Sequence, residues 1–168
     1  LLEGEAGVGK TYLLDHVLGH YDFSDRLVLR ASCYQSESGV PLAPWNSVML
    51  GLLSEMESRG VSIPDTYLKT AAGLFPCLAL QCGQGYTASD EQYPLQHNYH
   101  VAQESTLLIL SMVARQFPLL LVFEDIHWID RTSVELLSAV LHRLRSQNVT
   151  VICSSRELPA GFRKEFVE

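Results

Sequence analysis

The chain has 168 residues, 47% apolar and only 18% charged, which is enough apolar mass for one packed core and excludes a disordered chain. Twelve basic against nineteen acidic side chains give a net charge of −7, so this segment lacks the electrostatic footprint of a nucleic-acid binder. Its longest apolar runs, Leu107–Leu110 and Leu119–Phe123, fall far short of the roughly 18 residues that a membrane span needs.

Leu1-Leu2-Glu3 reads as the tail of a strand, and an upstream portion of that strand is expected to precede it. No basic stretch followed by an apolar one marks a signal peptide. Gly4-Glu5-Ala6-Gly7-Val8-Gly9-Lys10-Thr11 then fits G-x-x-x-x-G-K-[ST] at every position. Glycines let the backbone turn tightly and approach a phosphate with no Cβ in the way. Successive N–H groups then form an anion nest at a helix N-terminus. Lys10 is placed to reach β- and γ-phosphates as a point charge, and the Thr11 hydroxyl to ligate Mg²⁺. The competing reading is a glycine-rich turn with a solvated lysine, and context decides between them.

Residues 11–18 place Leu13, Leu14, Val17 and Leu18 on one helical face, with Gly19 as the stop. A strand follows at Leu27-Val28-Leu29-Arg30-Ala31. Strand end, loop, helix and strand is the order of a phosphate-binding α/β unit. Cys33, Cys77, Cys82 and Cys153 show no CxxC pair and no partnered histidines, so they are expected as free thiols in a reducing cytoplasm. The stretch from about residue 59 to 97 is expected as a variable insertion, with Cys82–Pro94 as a surface loop.

Pro118 ends a helix expected from about Asn98 to Gln116, in which Val101, Ser105, Leu108 and Met112 recur at steps of three and four while Leu107, Leu110 and Ala114 widen the apolar face. Leu119–Phe123 suits a strand buried on both faces of a parallel sheet. Glu124 and Asp125 close it at the C-terminal end, where open α/β sheets bind ligands. In an ATPase the first acid would hold Mg²⁺, usually through water, and the second would orient or deprotonate the attacking water. An acidic turn that caps the next helix is the alternative. That helix starts at Asp130 or Thr132, where Thr132-Ser133-Val134-Glu135 has capping-box spacing, and buries Val134, Leu137, Leu141 and Leu144. A last strand, Val149–Cys153, leads into Ser154-Ser155-Arg156, an arginine placed to sense a γ-phosphate.

Together these segments resemble the signal-transduction ATPases with numerous domains, a branch of the AAA-type P-loop NTPases. The likeness is to the ATPase domain of large bacterial transcriptional activators of the LuxR-like and BTAD-containing kinds. Its carriers are Gly4–Thr11, Phe123-Glu124-Asp125-Ile126-His127-Trp128-Ile129-Asp130 and Ser154-Ser155-Arg156, with Ala31-Ser32-Cys33-Tyr34 and Pro41-Leu42-Ala43-Pro44-Trp45 in support. The resemblance implies a three-layer α/β domain spanning residues 1–168, with a mainly parallel sheet in strand order 5-1-4-3-2. The fifth strand and helical lid are expected to lie beyond Glu168. It also implies a slow, regulatory ATP-driven switch using Mg²⁺. Gly4, Glu5, Ala6, Gly7, Val8, Gly9, Lys10 and Thr11 would bind the nucleotide, and Thr11 and Glu124 the metal. Lys10, Glu124, Asp125 and Arg156 would serve the reaction. Glu124 stands where many relatives have Asp, and the longer side chain would displace the metal contact or require a compensating shift.

His127 and Trp128 are expected as packing residues, Asp130 as a helix cap, and the remaining histidines carry no ligand spacing. Tyr12 is either a wall near the nucleotide or plain helix surface. The N-K-x-D pattern that reads guanine is missing, which favours adenine, and no adenine reader is named. Nucleotide-dependent self-association, and DNA contact only through another domain, are the remaining partner expectations. A nucleotide-binding scaffold without turnover and a small-molecule phosphotransferase stay open as alternatives.

Overall fold

The computed structural model describes residues 1–75, 77–78 and 95–156. Four strands, β1 (Leu2–Glu3), β2 (Leu27–Ser32), β3 (Leu119–Glu124) and β4 (Val149–Ser155), form one parallel sheet in the order β1-β4-β3-β2. This is the expected 1-4-3-2 arrangement, and it seats β4 between the strand that enters the glycine loop and the strand that ends in the acidic pair. Five helices of the described residues flank the sheet: α1 (Lys10–His20), α2 (Ala43–Ser58), α3 (Asp65–Ala71), α4 (Leu95–Gln116) and α5 (Arg131–Arg143).

All six residues of β3 are buried, which requires apolar cover on both faces. Leu120 and Val122 pack with Leu14 of α1 and with Leu2, Val28 and Ile152. Leu119, Leu121 and Phe123 point the other way, into a larger core with residues of α2, α4 and α5. The result is three layers, with α1 on one side.

Helix α2 was not singled out by the sequence reading, although its signal is present. Trp45, Val48, Met49, Leu52, Leu53 and Met56 are buried at steps of three and four, and Pro44 sits in the first turn. The Trp45 ring lies 5.0 Å from that of Phe123, and its Nε1–H donates to the Ser133 carbonyl at 3.1 Å, joining α2 to β3 and α5.

Several boundaries and faces differ from the sequence expectations. Helix α1 runs past Gly19 to His20, and only Leu14 of its four expected apolar positions is fully buried, while Leu13 is exposed. Helix α4 begins at Leu95; of its expected face Ser105, Leu107, Leu110 and Ala114 are buried and Met112 partly so, while Val101 and Leu108 are exposed and Ala102, Thr106, Ile109 and Val113 join the inward side. Apolar residues ring much of that helix, and spacing alone does not say where its buried face ends. In α5 the cap is Asp130, whose carboxylate accepts the Ser133 N–H at 2.9 Å. Glu135 pairs with Arg131 one turn away and does not close a capping box on Thr132. Leu141 is partly exposed, and Val140 takes the inward position. Within the expected insertion, Ile63, Ala71, Ala72, Phe75 and Leu78 belong to the core; Cys82–Pro94 lies outside the described residues.

Candidate nucleotide site

The glycine loop is shaped by its own sequence. Gly7 and Gly9 have φ of 80° and 94°, left-handed backbone that side-chain-bearing residues rarely adopt. Gly9 is the N-cap of α1, so the loop delivers the helix N-terminus and its free N–H groups into the bend. A Cβ at Gly4 would lie 3.2 Å from Val8 Cγ1, a tight contact that the exposed Val8 side chain would have to ease. The Gly4 N–H donates to the Ser155 carbonyl at 3.2 Å, tying the loop to β4. Lys10 Nζ crosses the loop and donates to the carbonyls of Gly4 and Glu5 at 2.7 and 2.8 Å.

A cavity of about 250 Å³ opens beside the bend, lined by Ala6, Gly7, Gly9, Lys10, Thr11 and Tyr12, with Asp125 and Arg156 opposite. Asp125 follows β3 with φ of 53°, and its N–H donates to Ser154 Oγ at 3.1 Å. Arg156 leaves the neighbouring strand, and its N–H donates to His127 Nδ1 at 3.4 Å. His127 Nδ1 also lies 4.0 Å from Asp125 Oδ1. Burial pushes the His127 imidazole below its ordinary pKa, against the pull of Asp125. Accepting at Nδ1 puts the proton of the neutral ring on Nε2, a buried atom with no hydrogen-bond partner among the described residues.

The structure thus gathers Lys10, Thr11, Asp125 and Arg156 around one space. Glu124 is not in that lining. It is only 5% exposed, and its Oε1 accepts from Arg30 Nε at 2.5 Å. Arg30 Nη1 in turn donates to Asp15 Oδ1 at 2.6 Å. These contacts hold Arg30 still further into its charged form, the hydrogen bond to Glu124 first among them. Of the loop residues, Val8 is exposed and Glu5 contributes its carbonyl to Lys10.

Arg30 and Ser154 escaped the sequence reading. For Arg30 the signal was legible: a charge inside the apolar run Leu27–Ala31 needs a partner. For Ser154 no sequence signal separates it from Ser155.

The site fits a nucleoside triphosphate with Mg²⁺. The glycine loop, Lys10 and the start of α1 line an open space where phosphate oxygens would sit, and Thr11 and Asp125, which carry oxygen donors, line it too. Hard oxygen donors of this kind suit Mg²⁺, which takes its other ligands from water and phosphate. Among the described residues no helix is long and apolar enough to cross a membrane.

No curated protein matches the chain. The family described as AAA ATPase domain matches it over residues 1–152, which includes the glycine loop, the acidic end of β3 and most of β4. With its parallel sheet and P-loop, the chain belongs to the AAA ATPase domain family of nucleotide-binding ATPases.

Proposed function

We propose that this domain binds ATP with Mg²⁺ and hydrolyses it slowly, switching a larger signalling or transcription-regulating protein between ATP and ADP states. The observation that carries this reading is the convergence of Lys10, Thr11, Asp125 and Arg156 on one cavity from three separate segments. The loop N–H groups receive the phosphates. Lys10 exchanges the neutral carbonyls of Gly4 and Glu5 for anionic phosphate oxygens, a stronger charge-assisted pairing. Mg²⁺, when bound by Thr11 and a carboxylate at the acidic end of β3, neutralises charge on the transferring phosphoryl group. That acidic end also orients the attacking water. Arg156, anchored through its N–H to His127, contacts the γ-phosphate and is released when ADP remains. A cytoplasmic setting belongs to the same proposal, supported by the free thiols of Cys33, Cys77 and Cys153.

The test is phosphate release from Mg-ATP by wild type and Asp125→Asn, with nucleotide binding measured on both. Loss of release by about a hundredfold or more at saturating Mg-ATP, with nucleotide binding in the absence of Mg²⁺ retained, supports the reading. Release that survives the substitution removes Asp125 from the reaction. One contact favours nucleotide binding without turnover instead: Glu124, a candidate reacting carboxylate, is already engaged by Arg30. Nucleotide binding with no phosphate release from wild type would select it.

A further inference from the structure

We infer that the acidic pair is divided in its duties: Asp125 is the carboxylate that meets Mg²⁺, while Glu124 is the counter-ion of Arg30 in a bridge that positions helix α1 against the sheet. The inference rests on the nucleotide reading above. It concerns which carboxylate faces the cation.

Side chains of a strand alternate, so consecutive acids at the end of β3 leave in different directions. Glu124 pairs in register with Ser32 of β2, which sets it on the same face as Arg30, two residues earlier. That is the face covered by α1, because Val28, Leu120 and Val122 pack there against Leu14. Arg30 reaches Glu124 through Nε and Asp15 through Nη1, so one guanidinium joins β2, β3 and α1. Asp15 belongs to the helix that begins with Lys10 and Thr11, so the bridge fixes the helix that presents both to the phosphates.

Burial makes the pairing obligatory. A carboxylate at 5% exposure needs a cation beside it, and Arg30 already supplies one at 2.5 Å. Glu124 Oε1 is taken up by that contact, and Glu124 is not among the residues that line the cavity. Asp125, by contrast, lines the cavity with Thr11, and its side chain is half exposed. Its left-handed backbone, held by Ser154, turns it out of the strand direction that Glu124 follows. Arg30 and Asp15 are therefore positioning residues, acting on the site through α1.

The experiment measures the binding of a fluorescent ADP to the full chain across a Mg²⁺ titration, which needs no turnover, together with thermal unfolding. Asp125→Asn should cut the Mg²⁺-dependent gain in ADP affinity by about tenfold or more while leaving the melting temperature near wild type. Arg30→Gln and Glu124→Gln should each lower the melting temperature, and the double variant should be less destabilised than the two singles added together. The inference is overturned if Asp125→Asn keeps the full Mg²⁺-dependent gain, or if the Arg30 and Glu124 losses simply add. Should either single variant fail to fold, the Asp125→Asn titration still decides. Lys10→Ala separates the levels: if it binds ADP like wild type, the nucleotide reading itself falls. If it loses binding while Asp125→Asn keeps its Mg²⁺ response, only the division of duties falls.

Discussion

The backbone N–H of Asp125 donates to the side chain of Ser154 at 3.1 Å, across neighbouring strands. Asp125 adopts a left-handed conformation that is unfavourable for a residue with a Cβ, though aspartate and asparagine tolerate it best. Ser154 is 1% exposed, so its hydroxyl has no water to turn to and holds the loop in place.

Ser154→Ala should therefore cost about 1 kcal/mol of stability, the usual worth of such a bond. It should also weaken Mg-nucleotide binding several-fold, because the loop that carries Asp125 loses its anchor. Urea unfolding and calorimetric binding on the same preparations check both effects. A stability loss with unchanged affinity would show that the anchor does not matter to the site.

Gly9→Ala separates backbone strain from steric fit. An added Cβ meets nothing within 4 Å, so any loss comes from the φ of 94° alone. The expected cost is about 1–2 kcal/mol, read from chemical denaturation. Nucleotide affinity should fall more than that cost implies if the helix N-terminus is displaced. An unchanged stability would mean that the loop relaxes freely.

His127 gives a pH dependence of known sign. Burial lowers its folded pKa from the ordinary 6.5, so the unfolded chain takes up a proton first as pH falls. Its neutral ring is matched to the fold above about pH 7, and stability is lost from the ordinary pKa downward until the folded pKa is passed. His127→Gln should flatten that slope. Unfolding free energies at pH 7.5 and 5.5 should differ less in the variant than in wild type; equal differences would remove His127 as the source.

Much of this molecule was legible in its residues because the decisive signals are local. The glycine loop, the apolar β3 with its acidic end, and the strand leading to Arg156 each declare themselves within about ten residues. What was missed depends on distant pairings. The Arg30–Glu124 contact exists only because β2 and β3 pair in one register, Ser32 against Glu124, and nothing near either residue states that. Part of the inward face of α4 was misplaced for a similar reason: Val101 and Leu108 repeat as regularly as Ser105, Leu107, Leu110 and Ala114, which were expected to be buried and are. Helix α2 is different, since Trp45 to Met56 carry an ordinary helical stripe that was there to be read.

The most direct measurement is calorimetric binding of Mg-ATP to wild type and Lys10→Ala. A phosphate cradle at the glycine loop requires that wild type bind and that the variant lose at least about tenfold in affinity, since a charge-assisted contact worth more than 1 kcal/mol is removed. Equal affinity in the two proteins would mean that no phosphate rests against Lys10.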